Sequence, residues 1–160
     1  MLAVRLICVG KLKERYFADA VAEYEKRLGA FCRLELIEIP EERLPERPAP
    51  SEIEAALERE ARQIEKKLLK DGLLVCLCVE GTQQSSEAFA GLLSRAESSG
   101  RPRISFVIGG SFGLSEGLKA KADVRLSMSK MTFPHHLARV MLAEQLYRGF
   151  QIKEGTRYHK

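Results

Sequence analysis

The feature that most constrains the fold of this chain is a regular alternation of short apolar runs with segments of helical periodicity. Apolar runs with few polar residues are typical of strands in a parallel sheet that is covered by helices on both faces. The sequence therefore predicts an α/β fold with a mainly parallel sheet. The predicted strands are residues 3–9, 34–39, 73–79, 104–108 and 124–127, and the predicted helices are residues 13–28, 51–70, 85–98, 115–121 and 135–152.

Helix-start and loop signals divide the N-terminal part of the chain. Residues 51–54 (SEIE) carry the pattern of a capping box, with a Ser at the N-cap and a Glu three residues later. The preceding residues 40–50 hold four of the six prolines and are predicted to form a loop. Because 160 residues without a repeat or linker suit a single domain, residues 1–160 are expected to form one unit.

The composition argues against several classes of protein. Hydrophobic residues make up 45% and charged residues 30% of the chain, which is typical of a globular domain. No apolar stretch approaches the roughly 20 residues of a membrane span. The apolar N-terminus lacks a basic leader and carries Arg5, so it is predicted to be a strand and not a signal peptide. The four cysteines lack metal-site spacing, so we expect free thiols, a cytoplasmic location and no metal.

Positive charge is concentrated at the C-terminal end of the chain. Residues 1–100 hold 15 Lys/Arg against 18 Asp/Glu, whereas residues 101–160 hold 11 Lys/Arg against 4 Asp/Glu. A positive surface attracts polyanions, RNA above all. A basic segment that binds no nucleic acid is the alternative.

The last predicted helix is apolar around nearly its whole circumference. The apolar side chains that point in different directions about its axis are Leu137, Val140, Met141, Leu142, Leu146, Tyr147 and Phe150. A helix of this kind is buried on all sides. Either a second subunit or the rest of the same chain could provide that cover, and the sequence leaves both open.

A glycine-rich turn follows the fourth predicted strand. Residues 109–113 (GGSFG) match the nucleophile elbow of serine hydrolases, and a triad of Ser111, Asp123 and His135 or His136 would have the matching order. Few residues separate the last two members, and no segment supplies an obvious second oxyanion donor. The turn could instead let a ligand approach the backbone closely, or be a purely structural turn.

Three further features lie near the C-terminus. The loop 127–133 between the last strand and helix carries small hydroxyl residues and methionines that could line a cofactor pocket. On the helix, Glu144 and Arg148 have the spacing of an ion pair, and His135 could stack toward Arg139. The tail 153–160 combines basic residues with a Tyr and a His, which could contact phosphates and stack on a base, or could be a frayed end.

Several of these stretches together resemble the sequence of one known protein family. They are residues 9–13 (VGKLK), 23–28 (EYEKRL), 108–110 (IGG), 126–135 (LSMSKMTFPH), 144–148 (EQLYR) and 158–160 (YHK). Together they resemble the RlmH family, the ribosomal RNA large subunit methyltransferases H of the SPOUT superfamily. The resemblance extends from end to end of the chain and includes its length.

The resemblance implies an architecture and an activity. The expected fold is α/β with a C-terminal trefoil knot, and the expected assembly is a homodimer. The expected activity is transfer of a methyl group from S-adenosyl-L-methionine to N3 of a pseudouridine in helix 69 of 23S ribosomal RNA, within the assembled ribosome. A small serine hydrolase that uses Ser111 and a non-catalytic ribosome-binding module remain the alternatives.

The same resemblance implies roles for individual residues. The expected catalytic or orienting residues are His159, Tyr158, Glu144 and His135, and the partner subunit is a possible source of the first two. Arg139 and Arg148 are expected to contact phosphate or to be structural, and Arg157 and Lys160 are expected to contact RNA. The expected cofactor site comprises Leu77, Gly109, Met128, Ser129, Lys130, Met131, Thr132 and Phe133.

Overall fold

The computed structural model describes all 160 residues, and five strands alternate with five helices along them. The strands are β1 (Leu2–Val9), β2 (Cys32–Ile39), β3 (Leu73–Gln83), β4 (Arg103–Ile108) and β5 (Val124–Ser127). The helices are α1 (Arg15–Leu28), α2 (Pro50–Glu65), α3 (Ser86–Ser98), α4 (Glu116–Lys121) and α5 (His135–Lys153).

All five strands form one parallel sheet in the order β2-β1-β4-β3-β5. Neighbouring residues of β1 point to opposite faces, so Leu6 lies in the core under α1, α3 and α5, and Ile7 lies in the core under α2 and α4. Both side chains are fully buried. The predicted α/β fold is therefore confirmed, and the carboxyl ends of all the strands lie along one edge of the sheet.

The start of α2 differs from the prediction. The N-cap is Ala49 and Pro50 is the first helical residue, so Ser51 already lies inside the helix. Glu52, and not Glu54, accepts the N–H of Ala49 through its Oε1 at 3.0 Å. A proline is favoured at the first helical position because it lacks the N–H that would have no partner there, and this preference sets the boundary.

The end of α2 also differs, because the helix stops at Glu65 and not near residue 70. Leu68 has helical spacing from Ile64 in the sequence, yet it packs against the α2–α4 core from the turn that follows the helix. Lys67 and Leu68 donate to carbonyls three residues back, which closes that turn before β3 begins. Because Leu68 packs against the same core as Ile64, its spacing in the sequence predicted a helix that is longer than the real one.

Helix α5 is covered on one side within the chain. Leu142, Leu146 and Phe150 are buried in the core shared with α1 and α3, whereas Val140 and Met141 are half-buried. Burial inside the monomer therefore explains part of the all-round apolar character. No helix is both long enough and apolar enough to span a bilayer. All four cysteines are free thiols.

Candidate active site

A cavity of about 560 Å³ opens at the carboxyl edge of the sheet. The ends of β3 and β4 and the loop between β5 and α5 form its walls, and the first residue of α5 closes one side. In open α/β sheets, ligands bind in the crevice beyond the carboxyl ends of the strands. The fold thus brings together the glycine-rich turn and the 127–133 loop, which the sequence had indicated separately.

One wall of the cavity is made by an irregularity in β3. Leu126 of β5 is the register partner of both Leu77 and Thr82, so residues 78–81 leave the ladder between them. A Cβ on Gly81 would lie 2.6 Å from the carbonyl oxygen of Arg125, so glycine is required where the bulge returns to the strand. The bulge turns Val79 and Glu80 toward the cavity.

The opposite wall is the glycine-rich turn after β4. A Cβ on Gly109 would lie 2.3 Å from the carbonyl oxygen of Gly113, a distance that no real contact allows. Gly113 has a φ of +81°, which is the left-handed region that favours glycine, and its N–H bonds the carbonyl of Gly110 at 3.1 Å. Close packing of the backbone on itself therefore explains why two of these positions are glycine.

Glu41, from the proline-rich loop, holds the same turn from outside. Its Oε1 accepts the backbone N–H of Ser111 at 2.9 Å. A Cβ on Gly110 would lie 2.6 Å from that oxygen, so this glycine leaves room for the carboxylate. The loop between β2 and α2 is thereby tied to the rim of the cavity.

Hydrogen bonds between residues two positions apart shape the 127–133 loop. The Ser127 hydroxyl donates to the carbonyl of Ser129 at 2.9 Å, and the Ser129 hydroxyl accepts the N–H of Met131 at 3.0 Å. Ser127 is buried, whereas Met131 is 73% exposed despite its apolar side chain. Val79 and Phe112 of the same cavity are also exposed, and a group of exposed apolar side chains of this kind indicates a surface that contacts a ligand or partner.

Most of the predicted cofactor residues line this cavity. Lys130 is the exception: it is exposed and does not reach the wall, because the turn closed by Ser129 directs it to solvent. The predicted residues that do line the cavity are Leu77, Gly109, Met128, Ser129, Met131, Thr132 and Phe133.

Two charged residues of the wall were not foreseen from the sequence, namely Glu80 and Lys119. Lys119 Nζ lies 2.6 Å from Glu80 Oε1 and 2.8 Å from Glu116 Oε1. Burial alone would lower the pKa of Lys119, but the hydrogen bonds to the two carboxylates raise it above its ordinary value. The hydrogen bond from Lys119 likewise lowers the pKa of Glu80. The one available signal was a Glu directly after the apolar run 73–79.

His135 is the predicted catalytic residue that faces the cavity. Burial, and then the neighbouring His136, lower the pKa of its imidazole. The two rings meet edge-on with centroids 4.1 Å apart. His135 therefore packs against His136, whereas the sequence predicted that it would stack toward Arg139. His136 in turn pairs with Glu14, its Nδ1 lying 3.2 Å from Oε2. His135 is consequently neutral at pH 7 and able to accept a proton.

The hydrolase triad does not form. Asp123 accepts the N–H of Leu74 through its Oδ2 at 2.7 Å, at the amino ends of β3 and β5, whereas Ser111 and His135 lie at the carboxyl edge. His136 is engaged by Glu14. A buried acid that orients the histidine is required in such a triad, so the interpretation of Ser111 as a nucleophile is wrong.

The other predicted catalytic residues lie in a separate polar network on α5. Arg148 donates to Glu144 Oε1 through its Nε at 2.8 Å, which confirms the predicted ion pair, and the Tyr158 hydroxyl donates to the same oxygen at 3.3 Å. Glu144 lines a second groove of about 440 Å³, which shares Leu126 and Met128 with the cavity. Burial and the charge of Glu144 raise the pKa of Tyr158, so this phenol keeps its proton.

The tail is anchored by the same network. Arg148 Nη1 lies 3.1 Å from Nδ1 of His159, and Nε2 of His159 lies 2.8 Å from Glu87 Oε1. Because a guanidinium only donates, Nδ1 accepts and the proton of His159 resides on Nε2. Both ring nitrogens are therefore occupied within the chain, and the tail is not a frayed end.

The four cations predicted to contact RNA fall into two groups. Arg139 is only 4% exposed, and it donates to Glu38 Oε2 at 2.7 Å and to the carbonyl of Gly10 at 3.2 Å. The structural alternative thus holds for Arg139, and RNA cannot reach it. Arg148 is partly buried against Glu144, whereas Arg157 and Lys160 are exposed. No group of three or more metal-ligating side chains occurs in the structure.

Comparison with known proteins agrees with this geometry. Residues 2–159 match the family described as "Predicted SPOUT methyltransferase". The chain is 43% identical over 159 residues to the Ribosomal RNA large subunit methyltransferase H of Streptococcus equi subsp. zooepidemicus, covering 99% of this chain and 100% of that protein. It is 44% identical over 157 residues to the protein of the same name from Clostridium beijerinckii, with 98% and 99% covered.

Solved structures show the same fold. A probable methyltransferase from Bordetella pertussis Tohama I superposes with a TM-score of 0.60 over 92% of this chain and 96% of that one, at 18% identity. A probable methylase family protein from Haemophilus influenzae Rd KW20 gives 0.53 over 100% and 72%, at 14% identity. These structures therefore confirm the α/β fold of the chain. The chain belongs to the SPOUT methyltransferases, within the family of ribosomal RNA large subunit methyltransferases H.

Proposed function

We propose that this chain transfers a methyl group from S-adenosyl-L-methionine to 23S ribosomal RNA. The observation that carries the proposal is the convergence of seven of the eight predicted cofactor residues on one cavity at the carboxyl edge of the sheet. The relatives that are 43 to 44% identical over nearly their whole length bear the name of ribosomal RNA methyltransferases. Family membership and cavity geometry thus point to the same reaction.

The residues of the cavity fit this cofactor. Small-molecule sites measure roughly 300–1,000 Å³ and combine apolar walls with a few placed polar groups. Leu77 and Ile108 offer an apolar surface for the adenine ring, while Ser129 and Glu80 supply polar groups. The Gly109–Gly113 turn would hold the cofactor through its backbone. When bound, the cofactor supplies an electrophilic methyl group on a sulfonium sulfur.

His135 is our candidate for the group that accepts the N3 proton of the target base. It lines the cofactor cavity and is neutral at pH 7 because burial and His136 lower its pKa. A general base must be unprotonated and within reach of the proton it removes. Glu144, which lines the second groove, would orient the substrate, and Tyr158 and His159 would act through Glu144 and Arg148, which they contact.

For the target, we propose N3 of a pseudouridine in helix 69 of 23S ribosomal RNA, within the assembled ribosome. The support is the family resemblance, together with the basic C-terminal part of the chain. A chain of 160 residues has little surface with which to select one nucleotide. Recognition of a preassembled ribosomal surface would supply the missing selectivity. The reaction would take place in the cytoplasm.

We also propose that the chain acts as a homodimer and that its C-terminal segment forms a trefoil knot. The half-buried side chains of Val140 and Met141 on α5 support the first. The contiguity of the β3 bulge, the β5–α5 loop and the glycine-rich turn around one cavity is in keeping with the second. The dimer is checked by sedimentation equilibrium, and a monomer at micromolar concentration would contradict it.

The test of the activity is incubation with methyl-labelled S-adenosyl-L-methionine and ribosomes from a strain that lacks the modification. We expect label on one nucleotide of 23S ribosomal RNA, mapped to N3 of a pseudouridine in helix 69. Free 23S RNA, offered in parallel, should be labelled much less. Binding of ribosomes without any transfer would favour the non-catalytic ribosome-binding alternative and contradict the proposal.

A further inference from the structure

The charged wall of the cavity has a function that the proposed reaction alone does not assign. The β3 bulge places Glu80 at the cavity, between Leu77 and Thr82, which both pair with β5. A strand that ran on without the bulge would keep residue 80 in the ladder. The bulge and the close approach of Gly81 to β5 therefore serve to present Glu80 there.

The Glu80 carboxylate is fixed in place by Lys119, its neighbour in the cavity wall. Lys119 Nζ binds its Oε1 at 2.6 Å, and Glu116 balances the same ammonium at 2.8 Å. The Lys119 side chain is only 11% exposed. Taking an ammonium out of water costs several kcal/mol unless it is paired, so Lys119 and its two carboxylate partners hold one another in place.

Glu80 keeps hydrogen-bonding capacity toward the cavity. An ionised carboxylate offers about four acceptor sites, and Lys119 is the only side chain that donates to Glu80. The Glu80 side chain is 58% exposed, so its remaining acceptor sites are open. Acidic residues near a strand end accept hydrogen bonds from ribose hydroxyls in dinucleotide-binding folds. The same chemistry suits any nucleoside whose base lies against the apolar wall.

We propose that Glu80 accepts hydrogen bonds from the ribose hydroxyls of the cofactor and that Lys119 is its positioning residue. The inference rests on the proposed function, since it names the cofactor bound in that cavity. It makes Glu80 a specificity-determining residue that favours a ribose over a deoxyribose. It also disfavours a ligand with a phosphate on the ribose, because two negative charges would meet there.

The test is a calorimetric titration with S-adenosylhomocysteine and with its 2′-deoxy and 3′-deoxy analogues. The wild-type chain should bind S-adenosylhomocysteine about tenfold more tightly than at least one deoxy analogue, the weight of a charge-assisted hydrogen bond. Glu80→Ala should bind S-adenosylhomocysteine about tenfold more weakly and no longer distinguish that analogue. Equal affinity of the wild type for all three ligands would overturn the proposal.

Glu116→Ala is the matched control. It also removes one of the two carboxylates from Lys119, but Glu116 does not line the cavity. This variant should keep the full preference for the ribose. If both variants lose the preference equally, the effect belongs to Lys119 and not to a contact of Glu80, and the proposal is overturned.

Lys119→Met tests the positioning role and should lose the ribose preference. Lys119→Arg keeps a positive charge at this position and should retain the preference. A purely structural lysine would change the affinity for all three ligands alike and leave their ratio unchanged. The proposed function and this inference fail in different ways. If the wild-type chain binds no S-adenosylhomocysteine, the proposed function is at fault. If it binds the ligand and Glu80→Ala discriminates as the wild type does, only the assignment of Glu80 falls.

Discussion

Gly109 shows how one residue determines the shape of the cavity wall. A methyl group there would lie 2.3 Å from the carbonyl oxygen of Gly113. This oxygen belongs to the backbone, so it cannot move aside as the end of a flexible side chain could. We expect Gly109→Ala to displace the turn and weaken S-adenosylhomocysteine binding at least tenfold, measured by calorimetry. Gly117→Ala, in α4 with open space around it, is the control and should bind normally. Unchanged affinity of Gly109→Ala would contradict the role of the turn.

The pH dependence of the reaction tests the assignment of His135. A base acts when unprotonated, and burial with the nearby His136 lowers the pKa of His135 from its ordinary 6.5. The rate should therefore rise with pH and reach half its plateau below pH 6.5. His135→Gln should abolish this limb and slow transfer by roughly 100-fold or more.

His136→Gln is the control for that experiment. His136 contacts Glu14 and does not line the cavity, so this variant should keep the acid limb. Its midpoint should move upward, because one of the influences that lower the pKa of His135 is removed. An acid limb that survives in His135→Gln would assign the proton acceptor to another group.

At the level of elements, α5 is tied to the first strands of the sheet by Arg139. Its guanidinium links Glu38 at the end of β2 with the carbonyl of Gly10 after β1. Glu38 keeps a lowered pKa: burial alone would raise it, but the hydrogen bonds from Arg139 and from the N–H of Leu12, together with the nearby positive charges, outweigh burial. We expect Arg139→Gln to lower the free energy of unfolding by about 2 kcal/mol in urea denaturation.

The exposed Arg47 gives the comparison for that measurement. Arg47→Gln should change the free energy of unfolding by less than about 0.5 kcal/mol, as is usual for surface substitutions. A loss of ribosome affinity in Arg139→Gln without any loss of stability would contradict the structural role. It would return Arg139 to the RNA-contacting group that the sequence had indicated.

The elements differ in how far the sequence predicted them. β5 lies at its predicted bounds, β2 ends as predicted at Ile39, and α5 begins directly after Pro134. These limits are predictable because the signals are local: Pro40 stops a strand and Pro134 opens a helix. The end of α2 was not predictable, because the contact made by Leu68 is tertiary and has the same spacing in a turn as in a helix.

At the scale of the whole molecule, the C-terminal tail presents two exposed cations that could contact RNA. Arg157 and Lys160 are exposed, while Tyr158 and His159 between them are held by the α5 network. We expect Arg157→Gln with Lys160→Gln to weaken ribosome binding. The slope of the logarithm of affinity against the logarithm of salt concentration should fall by about one for each charge removed.

A variant with the same change in net charge provides the control. Arg47→Gln with Lys66→Gln removes two exposed cations from the N-terminal part of the chain. Its affinity for ribosomes and its salt slope should stay close to those of the wild type. Equal losses in the two double variants would mean that net charge, and not the tail, drives the association.

The site was predictable from the sequence only where its signals are local. The glycine-rich turn and the 127–133 loop each follow an apolar strand, so their place at the sheet edge could be inferred. Lys119 carries no such signal, because it reaches the cavity only through the packing of α4 beside the β3 bulge. Lys130 is the opposite case, since it lies in the right loop and points away from the wall.

The central claim is that the cavity between β3, β4 and the β5–α5 loop holds the cofactor. The most direct measurement is titration of S-adenosylhomocysteine into the ¹⁵N-labelled chain, followed by amide chemical shifts. We expect the largest shifts on residues 109–113 and 128–133, together with the bulge 78–81. Shifts concentrated in the second groove around Glu144, or no shifts at all, would contradict it.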